Sequence, residues 1–401
     1  MPQSSPKEAH QPRRRWRIPP ALLRNPATPE AFEGAGILAE FRGDSGFALF
    51  QCYRDVLLWA STPPEERVGL FHDGDTDLAP RMASEHALVE RLDVDTSRAL
   101  HRLRRGVHQS HEDDGSMVAD AMAIAAGAER RGAAATSAAY AQLSAAIAPS
   151  SANTALAVGR LALRLEHTPV ADTWLRRAIA LARRSRDWES YAAALAVLGH
   201  FREQKSRLDD ARGEYLKALR VSRRFALQDT RSQALSGLLR VALRQGDQQT
   251  AERYAGWVLS AHRRGHPRRA SVLLDVAEVD LRRGAHERAE LLLRAALPGL
   301  AGAEEVRALI LLVRALGGVG EGHVEYAWHR ALDVIDDEYG RSGEAARWLL
   351  RLALAGAEVQ LDAHADRAAQ RAIECARQSG DEDLVAVCNA FLARARPPRA
   401  A

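Results

Sequence analysis

Along most of this chain apolar residues recur at i, i+3, i+4 and i+7, the spacing that lines one face of an α-helix. The clearest stretch has Leu195, Leu198 and Gly199 on a first helix, a turn at Ser206 and Arg207, and Leu208, Ala211, Tyr215, Ala218 and Leu219 on a second. Two such helices leave apolar flanks exposed until a neighbour stacks on them. The pattern repeats. Ala138, Ala171, Ala211, Ala251, Ala289 and Ala365 each stand seven residues before Ala145, Ala178, Ala218, Val258, Ala296 and Ala372. With Val324 marking a degenerate unit between Ala289 and Ala365, successive markers lie 33 to 41 residues apart, the length of two helices and two turns. The periodicity therefore predicts about seven stacked helix pairs over residues 116–380. A capping helix and tail follow over 381–401, with Leu384, Val387, Phe391 and Leu392 on one helical face.

Residues 21–115 follow a different pattern and form an N-terminal helical unit. Seven of the 22 aromatic residues, Phe32, Phe41, Phe47, Phe50, Tyr53, Trp59 and Phe71, fall in this short region, which implies a local core. Thr28 before Pro29 reads as a helix start, and Thr62-Pro63-Pro64-Glu65 has the form of a capping box. A helix buried on several sides is expected from Phe47 to Trp59, with further helices from about Pro80 to Leu92 and from Asp95 to His108. Residues 1–20, with Arg13, Arg14, Arg15 and Arg17 among five prolines, read as a disordered basic arm and contain no secretory apolar core.

Within the repeats, Leu198, Gly199, Ala211, Tyr215 and Ala218 fall in the positions of a known signature. It is a Leu-Gly pair on helix A, a turn, an alanine early in helix B, an aromatic four residues on and another alanine three after that. Val158, Gly159, Ala171, Leu175 and Ala178 match it in the preceding unit. The chain thus resembles the tetratricopeptide repeat, in the longer-helix variety of bacterial regulators and kinesin light chains. Leu239, Ala277, Leu312 and Ala353 depart from the pattern by replacing the helix-A glycine. The resemblance implies an all-α, right-handed superhelical solenoid of stacked helix pairs, and a groove lined by the A helices that receives extended peptides.

Carried onto this sequence, the groove positions are Arg130 and Arg131, Arg160 and Arg164, His200 and Gln204, Arg240 and Arg244, Glu278 and Arg282, and then Leu309, Ile310, Val313 and Leu316. They predict a basic half and an apolar half. Arginine suits carboxylates because its fork donates two charge-assisted hydrogen bonds at once. The expected ligand is therefore a protein or an acidic peptide. Charge reversal at Arg160, Arg164, Arg240 and Arg244 is expected to weaken binding while leaving melting nearly unchanged, because exposed charges contribute little to stability. The lysines and asparagines of the better-known carboxylate clamp are mostly absent.

Composition narrows the classes further. The formal net charge is only +4, which argues against a non-specific nucleic-acid binder. Basic residues are almost all arginine, with Lys7, Lys205 and Lys217 the only lysines. Cys52, Cys375 and Cys388 have no metal-ligand spacing and are odd in number, which fits a reducing cytoplasm. No run approaches the ~18 apolar residues of a membrane span.

Motifs for chemistry are incomplete, so no catalytic residue, metal or cofactor is expected. Asp73, Asp75 and Asp77 imitate half of a calcium loop, but Leu78 and Ser84 stand where Gly and Glu are required. His108, His111, Glu112, Asp113 and Asp114, like His323 and His329, lack a spacing that converges on one ion. Gly34, Gly36 and Ala39 satisfy GxGxxA without the strand that motif needs, and Gly317, Gly318, Gly320 and Gly322 read as turn residues. Residues 85–105 have a helix-turn-helix flavour, with Arg98, Arg102, Arg104 and Arg105 on the second helix. A DNA-binding regulator with a sensory repeat array is thus the alternative to a binding scaffold, and an enzyme of unknown type comes third. The N-terminal unit either caps the array or forms a homo-oligomer interface.

Overall fold

The computed structural model describes residues 35–71, 92–109, 114–262, 266, 268–320 and 323–394; the basic arm, Thr28–Pro29, the Asp73–Asp77 loop, most of the expected 80–92 helix and His111–Asp113 lie outside them. The described residues are helical with no strand. They fall into two compact units, Met1–Phe201 and Arg202–Ala401.

The first unit opens with α1 (Ala35–Glu40), α2 (Asp44–Ser61) and, after a 3₁₀ turn at Pro64–Gly69, α3 (Val94–Gln109). Paired helices follow: α4 (Asp114–Arg130) with α5 (Ala134–Ile147), then α6 (Ala152–Arg164) with α7 (Thr168–Ser185), then α8 (Trp188–Gln204), within which the unit ends. The second unit continues through α9 (Leu208–Arg224), α10 (Gln228–Gln245) with α11 (Gln248–Ala261), and α12 (Arg269–Arg282) with α13 (His286–Ala296). It closes with α14 (Ala303–Val319) and α15 (Val324–Tyr339), α16 (Gly343–Glu358) and α17 (Asp362–Ser379), and α18 (Glu382–Arg394). Even-numbered helices from α4 to α16 are the A helices and their successors the B helices.

Short turns are built from local chemistry. Ser151, Asp247 and Ser342 cap α6, α11 and α16 by accepting the amide three residues on. Gly246, with φ 72°, ends α10 in the left-handed region that glycine enters without a Cβ penalty. The expected capping box at Thr62 does not form. Thr62 instead closes α2, its hydroxyl donating to the Leu58 carbonyl at 2.8 Å, and Pro63 directs the chain into the 3₁₀ turn.

In the first unit the aromatic helices join the first repeat through specific bonds. Tyr53 and Tyr140 meet edge to face at 5.9 Å, and the Tyr140 hydroxyl donates to the Leu49 carbonyl at 2.7 Å. The Glu40 carboxylate accepts the amides of Ala135 and Thr136 at 2.8 and 2.7 Å, so an acid from residue 40 caps α5, 95 positions on in the chain. A carboxylate there satisfies orphan amides and complements the helix dipole. Glu40→Ala is expected to cost about 1 kcal/mol. The checking measurement is chemical unfolding, with a lower denaturant midpoint and an unchanged slope.

In the second unit, two signature aromatics find their seats on the next A helix. A Cβ built at Gly237 of α10 would lie 2.2 Å from Cζ of Tyr215, and one at Gly356 of α16 would lie 2.6 Å from Cζ3 of Trp328. The close-approach glycine has moved: in these repeats it stands two residues before Leu239 and three after Ala353, and it receives the ring of the preceding B helix. Gly317 and Gly318 belong to the same packing logic, since they lie inside α14 against Val359 and His286 rather than in an open turn.

Candidate ligand-binding face of the repeats

In the second unit the A helices carry a ladder of alternating charges. Glu203, at the end of α8, accepts Nε and Nη2 of Arg240 of α10 at 3.0 and 3.1 Å, and the Tyr215 hydroxyl at 2.8 Å. Arg240 also approaches Asp275 of α12 at 4.0 Å. On its other side Asp275 accepts Nη1 of Arg307 of α14 at 2.9 Å, and Arg307 reaches Glu278 at 2.5 Å. Arg282 adds a bond to Glu278 at 2.7 Å, while Arg244 donates to the Glu203 carbonyl and to Ser206.

Helical periodicity accounts for the register. Glu278 and Arg282 are one turn apart on α12, as are Arg240 and Arg244 on α10, so both pairs share a face. The acids sink and the cations stay at the surface: Asp275 and Glu203 are 4% and 6% exposed, whereas the Arg240 and Arg307 side chains keep about 30% of their surface. Burial alone would raise the Glu278 carboxyl, but Arg307 and Arg282 outweigh it and hold the group below its ordinary value. Burial opposes the charge on Arg240 too, and Glu203 with Asp275 outweighs it, pushing the guanidinium still higher.

This geometry revises the expected basic groove. Arg240 is not a free surface charge, so its reversal to Glu would set a third acid against Glu203 and Asp275 and cannot leave stability unchanged. Arg244 and Arg282 are exposed, but each spends donors on the fold. In the first unit Arg164 forms a two-point bond with Glu129, while Arg130 and Arg131 lie 3.7 and 3.8 Å from Asp93. Arg160, His200 and Gln204 are exposed.

The apolar half is corrected outright. Leu309, Ile310, Val313 and Leu316 are at most 7% exposed and belong to the hydrophobic core of the second unit. Periodicity alone could not separate an apolar ligand-facing stripe from an apolar packing stripe. Sequence reasoning also missed Glu203, Asp275 and Arg307. A carboxylate between Leu274 and Val276 in an apolar run was the available signal.

Of the expected helix-turn-helix at 85–105, the described part begins at Leu92 and its second helix is α3. Arg102 donates to Asp120 of α4, Arg104 is 8% exposed, and Ala99, Leu100, Leu103 and Val107 are buried. Arg98, Arg102 and Arg105 remain exposed. Among the described residues no group of three His, Cys, Asp or Glu side chains is placed to hold a metal ion, and no helix is long and apolar enough to cross a membrane.

Helix pairs stacked in this way define a tetratricopeptide-type helical-repeat protein. Solved structures of similar fold support that assignment. The apo form of RapI aligns over 65% of this chain and 97% of its own, with a TM-score of 0.53 at 10% identity. The Rap conjugation gene regulator of the plasmid pLS20, in complex with the Phr* peptide, aligns over 87% and 99% with a TM-score of 0.50 at 12% identity. No protein-family model and no curated protein matches the chain.

Proposed function

We propose that this chain is a non-catalytic binding protein of a reducing, cytoplasmic compartment, whose A helices receive a protein segment or peptide of acidic character. The observation that carries the reading is the ladder on α8, α10, α12 and α14. Its cations, Arg240, Arg244, Arg282 and Arg307, outnumber its acids, Glu203, Asp275 and Glu278, and the acids are the deeper groups. An approaching carboxylate therefore meets guanidinium first. The internal acids preset each fork, so ordering these side chains costs a ligand little entropy. A protein of the same fold is held in complex with a peptide, which supports this class of ligand. The three buried, unbridged cysteines support the compartment.

Fluorescence anisotropy with a labelled (Glu-Leu)5 peptide tests the proposal. Saturable binding that weakens with salt is expected, with no binding of (Lys-Leu)5. Arg244→Gln combined with Arg282→Gln is expected to weaken the acidic peptide about tenfold, equivalent to about 1.4 kcal/mol, with a modest fall in melting temperature because both side chains also donate to the fold. Equal affinity for both peptides would sink the acidic-ligand reading.

A further inference from the structure

The B helices α15 and α17 line an open-sided cleft of about 190 Å³. Its walls follow from helical spacing. Trp328, His329 and Leu332 share one face of α15, while His364, Arg367, Ala368 and Arg371, at i, i+3, i+4 and i+7, share one face of α17. Trp328 is 1% exposed and seated on Gly356, so its ring is fixed. His364 meets the Trp328 ring at 5.8 Å and 74°, and the His329 ring at 5.9 Å and 87°. Three rings thus surround one space edge to face. The Glu325 carbonyl holds Nδ1 of His329 at 2.7 Å, and Nε of Arg367 donates to the Ala363 carbonyl at 3.2 Å. Arg371 donates to Asp336, which lies outside the lining. None of the seven lining side chains is acidic, so with Asp336 offsetting one arginine the walls keep a positive balance.

We propose that this cleft binds a small organic anion, a carboxylate carried on a flat apolar body of about the size of benzoate. The volume is about six times a water molecule's share of the liquid, at ~30 Å³ each. It falls below the ~300 Å³ at which sites for drug-sized ligands begin. Leu332, backed by the buried Trp328 and Ala368, offers an apolar floor that an inorganic ion would leave uncovered. Arg367 and Arg371 supply planar forks that match a carboxylate. The site uses none of the ladder residues, so it stands or falls independently of the peptide-binding reading.

Titrating the full chain into 4-fluorobenzoate, observed by ¹⁹F NMR, tests the proposal. Saturable line broadening is expected, with 4-fluorobenzamide at least tenfold weaker because it lacks the charge. Arg367→Gln with Arg371→Gln is expected to weaken the acid at least tenfold and leave the amide unchanged, and Ala368→Met, by filling the floor, to abolish both. Circular dichroism melting accompanies each variant; should Ala368→Met unfold, the arginine pair decides alone. Equal binding of acid and amide, full binding by the arginine variant, no binding of 4-fluorobenzoate at millimolar concentration, or equally effective displacement by inorganic phosphate would each overturn it.

Discussion

Asp275→Ala is expected to destabilise the second unit by about 3 kcal/mol, more than any exposed charge change in the chain. Breaking a buried ion pair typically costs about 3–5 kcal/mol because the partner charge is left without compensation. The lower end applies here, since the Arg240 and Arg307 side chains keep about 30% of their surface and regain some water. Removing one carboxylate takes an acid from two guanidiniums at once, leaving Arg240 of α10 to Glu203 and Arg307 of α14 to Glu278. Asp275→Asn, which keeps an acceptor for Arg307, should lose less than Asp275→Ala. Because a repeat array loses stability locally, hydrogen exchange reads the result best. Protection should fall most in α10, α12 and α14 and progressively less toward α18. A loss below about 1 kcal/mol, or a uniform loss of protection from α9 to α18, would show that the ladder is not a structural strut.

Gly237→Ala is expected to destabilise by about 1–3 kcal/mol, the usual range for overpacking, against the ordinary preference of helices for alanine. The added methyl would meet three atoms of the Tyr215 ring at 2.2 to 2.6 Å. The ring has nowhere to go, being 1% exposed and tied through its hydroxyl to Glu203, so the clash spreads into the ladder. Gly213 in α9 and Gly256 in α11 provide an internal contrast, because nothing lies within 4 Å of a Cβ at either. The same substitution there should stabilise by roughly 0.5–1 kcal/mol. Urea denaturation of the three single variants checks the signs, and Tyr215→Leu should relieve the Gly237→Ala penalty if the ring is its cause. Three changes of the same sign would refute this account of the seat.

The helix pairs were legible because helical periodicity is local: the spacing of alanines and leucines places apolar stripes on each helix whatever it packs against. The same information names a face but not the neighbour that covers it. Leu309 and Val313 therefore fit a ligand-facing stripe by spacing alone, whereas in the fold they are buried in the core of the second unit. Glycine 237 was likewise unreadable, since its partner ring belongs to the preceding repeat and the contact depends on the offset between two helices.

Charge was the least legible property. Arginines at equivalent repeat positions are visible in the sequence as a stripe, and the sequence by itself determined their register on the A helices. Their partners lie 29 to 37 residues away, Glu203 for Arg240, Asp275 and Glu278 for Arg307, and Glu129 for Arg164. Only the tertiary structure decided which arginines are neutralised, because an ion pair needs its charges within about 4 Å and that distance is set by helix stacking, not by sequence spacing.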